Sequence, residues 1–285
     1  MSGSLNSVNT NTGALIALQS LNATNSALNA VQKQVSTGYR VADATDDGAA
    51  YAVAQSVRSS VSALTSANQQ LGGVQGLLST TGSALNDVSN LMSSMRDVLV
   101  SLANGNTQGN ERTQYESQYT SLLANVKSFV QDASYNGKTL IGNISGSSGT
   151  FSAVAVVRNE VGSTYGIATF SGSAVYTSLS FTSTQLNGAS TVAALITATG
   201  TFINQFNSVS SGMNSYGSAT NYINNQVSYN NDKISALNTG LGSLVDANLA
   251  QESALLQSLQ IKQQLGTQSL TLANQTPQSL LSLFK

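Results

Sequence analysis

Asp46 and Asp47 are the only adjacent acids in this chain, and Asp43 lies three residues before them. Carboxylates clustered this closely can cap the free N–H groups of a following helix, or they can hold a metal ion. The remaining acids are scattered, which leaves carboxylate acid–base chemistry without a second partner set. Cysteine and histidine are both absent. With them go disulfides, thiolate nucleophiles, sulfur-built metal sites and the usual general base near pH 7. Neither a GxxxxGK[ST] phosphate loop nor a Gly-x-Ser-x-Gly elbow occurs. The chain therefore reads as a non-enzyme with no catalytic, cofactor-binding or metal site, and Asp43, Asp46 and Asp47 as helix caps.

Composition points to association rather than catalysis. Of 285 residues, 40% are hydrophobic, only 8% are charged, and the formal net charge is −1. Ser, Thr, Asn and Gln together make up about 43% of the chain. A net charge near zero removes the self-repulsion that keeps molecules apart. It also argues against nucleic acid as a partner, because phosphates require a basic face. No segment approaches the roughly 18 consecutive apolar residues of a membrane span. The first charged side chain is Lys33, so no basic stretch precedes an apolar one and no signal peptide is recognisable. Either the chain stays in the cytoplasm or it leaves by a route that does not read such a signal.

The elements that would position these residues are set by a heptad. Val57, Leu64, Leu71, Leu78, Leu85, Met92 and Leu99 recur seven apart, with a companion row of Ser60, Ala67, Val74, Thr81, Val88, Met95 and Leu102. Such 3-4 spacing predicts a helix over 57–102, roughly 70 Å long, which must pack along partner helices. Partners are predicted over 110–133 (Tyr115, Tyr119, Leu122, Val126, Phe129, Ala133) and along Thr220, Ile223, Val227, Ile234, Leu237, Leu241 and Leu244, with polar Asn230 inside that stripe. An N-terminal stripe runs Ala14, Ala17, Leu21, Thr24, Leu28, Val31, Val35. Residues 249–265 carry leucines on more than one face, as in a helix buried all round. Between the helical ends, residues 142–202 hold short β-branched and aromatic runs (Phe151–Val157, Tyr165–Phe170, Ala174–Phe181) separated by turn signals, which predict hairpins. The expected fold is mainly α with a small β-rich insertion, its long coiled-coil helices coming from both chain ends into one elongated bundle.

The ends carry more specific motifs. Leu5-Asn6-Ser7-Val8-Asn9-Thr10-Asn11, Val35-Ser36-Thr37-Gly38-Tyr39-Arg40 and Asp43-Ala44-Thr45-Asp46-Asp47-Gly48-Ala49-Ala50 resemble the N-terminal region of bacterial flagellins. Ala84-Leu85-Asn86-Asp87 and Ser134-Tyr135-Asn136-Gly137 are similar to the same family. So are Leu244-Val245-Asp246-Ala247-Asn248-Leu249-Ala250, Lys262-Gln263-Gln264-Leu265-Gly266 and the tail Ala273 to Lys285. The resemblance covers about residues 1–142 and 205–285, in family order, and leaves the middle uncovered.

What the resemblance implies is a short flagellin of the alphaproteobacterial kind, an extracellular subunit that polymerises into a helical tube for motility. Its partners would be further copies of itself, the type III flagellar export apparatus, an export chaperone at the C-terminal region, and the filament cap and hook-junction proteins. Export would proceed without a cleaved signal peptide. The implied segments are an inner-tube helix at 1–40, a connecting spoke at 41–56, central-bundle helices at 57–141, an outward-facing variable region at 142–204, a central-bundle helix at 205–245 and a second inner-tube helix at 246–285. Leu21, Leu28, Val35, Leu255, Leu256, Leu259 and Leu265 would form the polymerisation core. Leu64, Leu71, Leu78, Leu85, Met92, Leu99, Ile234, Leu237 and Leu241 would form the bundle seam. An innate-immune receptor patch, built in enterobacterial flagellins from an Arg, a Leu and a Glu, would here hold Ser94, Val98 and Asn125. The rival readings are a hook–filament junction protein with flagellin-like termini and a coiled-coil surface adhesin.

Overall fold

The structure, a computed structural model, describes residues 10–282, with side chains as far as Gln275. Leu5 to Asn9 and Leu283 to Lys285 of the terminal motifs therefore lie outside the described residues. The elements in chain order are α1 (Thr12–Thr37), α2 (Gly48–Ala103), α3 (Gly109–Asp132), β1 (Lys138–Thr139), β2 (Thr150–Phe151), β3 (Val154–Val157), β4 (Thr164–Ile167), α4 (Gly172–Leu179), α5 (Ser183–Asn187), α6 (Ala189–Leu195), α7 (Thr201–Val245) and α8 (Leu249–Ser282). They divide into two compact units. One holds the described residues up to Ser59 together with those from Ala236 onward, and the other holds Ser60–Ser235.

In the 60–235 unit the heptad does what its spacing requires. Leu64, Leu71, Leu78, Leu85, Met92 and Leu99 are all buried, as are Ala67, Val74, Thr81, Val88, Met95 and Leu102 of the companion row. Facing them, α3 buries Tyr119, Leu123, Val126 and Val130, and α7 buries Phe202, Val209, Tyr216 and Ile223. The expected companion row is off by one: Phe129 is exposed and Leu122 half-buried, and Val130 and Leu123 take the core positions. Tyr119, Val126 and Ala133 recur seven apart and so do Leu123 and Val130, so the heptad interval holds and only the companion row is shifted by one residue. Two polar side chains inside this core are paired. The Tyr119 hydroxyl donates to the Leu179 carbonyl at 2.8 Å, and burial raises its pKa. Asn230, fully buried, donates to Asn68 Oδ1 at 2.8 Å and to the Arg158 carbonyl at 3.0 Å, while Gln226 donates to its Oδ1 at 2.9 Å.

The middle of the chain is less β than expected. β3 and β4 form one antiparallel hairpin, and β1 pairs with β2 in parallel over two residues each. Tyr165 of the hairpin stacks on Tyr222 of α7 at 4.0 Å, and Lys233 reaches Glu160 at 2.5 Å. The run Ala174–Phe181, expected as a strand, is instead helix α4. Ser171 caps it by accepting from the Ala174 N–H, and Val175 and Leu179 bury one face at helical spacing. Thr182 and Gln185 then form a reciprocal capping box that starts α5. Caps and a four-residue apolar interval outweigh the strand propensity of Val175, Tyr176 and Phe181.

The four glycines in the interior of α2 differ in role. The Tyr135 ring sits where a side chain on Gly76 would begin, so a Cβ there would clash, whereas Gly72, Gly73 and Gly82 face open space.

Candidate assembly interface

The unit formed by the two chain ends is built from α1, α8 and the loop between α1 and α2. Asn11 starts α1 by accepting from the Ala14 N–H at 3.0 Å, and Gly38 ends it with φ +75°, a left-handed conformation that suits glycine. The two helices run antiparallel: Leu28 and Val31 bury against Leu259, flanked by Val35 and Leu256. Farther along, Gln263 donates to Asn25 at 2.8 Å and Asn11 donates to the Ala273 carbonyl at 2.7 Å. Leu21 lies against Gly266, whose missing side chain permits the approach.

This pairing covers only part of the apolar surface. Leu15, Ile16, Leu18, Leu249 and Leu272 are exposed, and Leu255, Ile261 and Leu265 are 42%, 58% and 55% exposed. The expectation that 249–265 is buried all round fails for the single chain, because α1 alone can shield just one side of α8. Of the seven residues expected in a polymerisation core, Leu28, Val35, Leu256 and Leu259 meet one another within the chain, and Leu21 joins them through Gly266. Leu255 and Leu265 face outward. Single exposed leucines are ordinary, whereas groups of them on paired helices are the usual form of an interaction surface.

The loop at 38–47 is tied down by bonds that sequence reading missed. The Arg40 guanidinium donates to the Leu244 carbonyl at 2.5 Å, and the Arg40 N–H donates to the Val245 carbonyl at 2.7 Å. Val41, Ala54 and Val245 form a small core with Ala50, Tyr51 and Leu241. Asp47 alone caps α2, accepting from the Ala49 and Ala50 N–H groups at 3.1 and 3.0 Å. Asp43 and Asp46 do not cap it. They converge on Lys33, whose ammonium lies 2.6 Å from Asp43 and 2.8 Å from Asp46. The Lys33 ammonium, helped by Thr45, holds the Asp43 carboxyl below the usual carboxylate range. The same ammonium, together with the Ala42 N–H, lowers Asp46, and both carboxylates raise Lys33. An acid pair ten and thirteen residues beyond Lys33 was the available signal; the intervening turn hid the convergence.

The remaining predicted positions separate by burial. Ile234, Leu237 and Leu241 are half-buried rather than central in a seam. Ser94 and Asn125 are exposed, but Val98 is 4% exposed and belongs to the core. The resemblance thus assigns to an outward-facing patch a residue that this fold buries in its core.

Comparison with known proteins covers nearly the whole chain. The family model for the bacterial flagellin N-terminal helical region matches residues 8–145, and that for the C-terminal helical region matches 196–284. Flagellin FljM of Caulobacter vibrioides is 32% identical over 285 residues, spanning 99% of each chain. A flagellin of Brucella melitensis is 32% identical, spanning 98% of this chain and 99% of its own. Among solved structures, a flagellar hook-associated protein from Vibrio parahaemolyticus superposes with a TM-score of 0.55 at 16% identity, covering 70% of this chain and all of its own, a likeness of fold alone.

Proposed function

This chain belongs to the bacterial flagellin family, and we propose that the unpartnered faces of α1 and α8 are the surfaces through which its copies polymerise. It is a structural subunit of the bacterial flagellar filament, an extracellular homopolymer that serves motility. Neither catalysis nor a cofactor enters this reading. The observation that carries the polymerisation surface is the row of Ile261, Leu265 and Leu272, exposed in one copy and too apolar to stay so, with exposed Leu255 to one side of it. In this reading α1 and α8 form the inner tube, residues 41–56, the end of the loop and the first turns of α2, are the spoke, and residues 142–204 face outward. The subunit reaches the tip through the type III export apparatus, held by a chaperone at its C-terminal region and without a cleaved signal peptide. It then joins the filament between the hook-junction and cap proteins.

Two substitutions test the division between bundle and tube. Leu85 is 1% exposed, so Leu85→Ala should leave a cavity costing about 2–5 kcal/mol. It should lower the melting temperature of the monomer followed by circular dichroism. Leu265→Ala should leave monomer melting unchanged and slow elongation from filament seeds. Leu259, already buried against Leu28 and Val31, is the poorer probe, because it contributes to both. If the Leu265 variant elongates like the parent chain, these faces are not the polymerisation surface.

A further inference from the structure

Asn104 and Gly105 open the turn that joins α2 to α3, and we propose that Asn104 is a site of spontaneous deamidation. Its side chain is folded back over the main chain, with Oδ1 accepting from the Asn106 N–H at 3.0 Å. That bond draws electron density from the amide carbon. Residues 104–106 are exposed, and among the described residues the Gly105 N–H has no acceptor. Gly105 presents no side chain to obstruct the approach.

The reaction needs only water. The Gly105 nitrogen gives up its proton to solvent and attacks Asn104 Cγ, forming a C–N bond. The Cγ–Nδ2 bond then breaks, and the nitrogen leaves as ammonia with a proton from solvent. Water opens the resulting five-membered imide at either carbonyl, giving aspartate or an isoaspartyl link. The product adds one negative charge just past the C-terminus of α2, where the helix dipole disfavours it. The isoaspartyl form also lengthens the main chain inside a turn that is otherwise held tightly. Thr107 Oγ1 donates to the Ser101 carbonyl at 2.9 Å, and buried Arg112 donates to the Leu102 and Thr107 carbonyls at 3.0 and 3.3 Å.

The structure separates this site from the other two Asn-Gly pairs. Asn136 and Gly137 sit in a two-residue turn with φ of 49° and 73°, closed by reciprocal bonds between Tyr135 and Lys138 at 2.8 and 3.0 Å. Those bonds must open before the Gly137 nitrogen can swing toward Asn136 Cγ. Asn187 ends helix α5, where Cβ tilts toward the helix N-terminus and away from the next N–H.

Full-length protein is incubated at pH 8 and digested with trypsin, and the fragment after Arg96 through Arg112 is compared by mass spectrometry with that after Lys127 through Lys138. Conversion at Asn104 should exceed that at Asn136 about tenfold, the factor that one net hydrogen bond sets. In urea the two rates should converge. A Cβ on Gly105 meets open space without a positive φ, so Gly105→Ala should fold normally and abolish the difference. Equal conversion at both sites in the folded chain would overturn the proposal, as would unchanged conversion in Gly105→Ala.

Discussion

Removing one oxygen from Tyr119 isolates what a single buried hydrogen bond contributes to the bundle. In Tyr119→Phe the Leu179 carbonyl loses one of two donors and keeps the Phe181 N–H at 2.9 Å, inside a core already filled by the ring, which stacks on Phe181 at 5.8 Å. The expected loss is about 0.5–1.5 kcal/mol, read as a lower urea midpoint with an unchanged m value. Ser94 and Asn125 make the opposite point, since they are exposed and structurally expendable. Where the resemblance puts an Arg and a Glu, this chain has two neutral side chains, and a Ser cannot supply the charged fork of a guanidinium. Receptor activation by monomer should fall well over tenfold below an enterobacterial flagellin, and Ser94→Arg with Asn125→Glu should partly restore it in a reporter-cell assay. Buried Val98 plays no part in that patch. Equal activation by the unmodified protein would show that these two positions do not govern recognition.

At the scale of elements, the α1–α2 loop depends on pH through one cation and two acids. Asp43 and Asp46 titrate below the ordinary carboxylate value of 3.8 in the folded chain. Their contribution is therefore complete above that pH and is lost as pH falls through the folded values. Lys33 titrates above its ordinary 10.5, so its contribution is complete below that pH and is lost as pH rises beyond it. The loop should stay fastened across neutral pH and loosen in acid. Hydrogen exchange at residues 41–46, corrected for its intrinsic pH dependence, should accelerate below pH 3.8. In Lys33→Met the loop should already exchange rapidly at pH 7, without the acid step. These groups are solvent-exposed, so salt should weaken the tether as well.

For the molecule as a whole, the two units rest on different forces. In the 60–235 unit, neutral amides tie α2 to α7: Asn68 donates to Asn231 at 2.9 Å and Gln75 to Asn224 at 2.6 Å. Bundle melting should accordingly change little between low and high salt. The terminal unit instead has three buried residues between α1 and α8 and much exposed leucine. Ordering those helices costs conformational entropy that one copy offsets poorly, so they should open readily until neighbours cover them. Brief proteolysis of monomer should trim both described ends inward to about residues 38 and 248, while filament should resist. Equal resistance in the two states would remove this account of assembly-coupled ordering.

Periodicity carried the long helices because a buried stripe must recur at the helical interval, whatever it packs against. Val57 to Leu102 thus announced its helix, and the terminal motifs announced the family. Other outcomes depended on neighbours distant in the chain. Ala174–Phe181 has strand-like residues, yet caps at Ser171 and Thr182 and the core beneath Leu179 make it helical. Asp43 and Asp46 read as caps until folding carried Lys33 beside them. Leu259 and Leu265 are alike as residues in one Leu-rich helix, and only the side that meets α1 distinguishes the buried one from the exposed one. Local spacing states which residues share a face, whereas long-range packing alone states what that face meets.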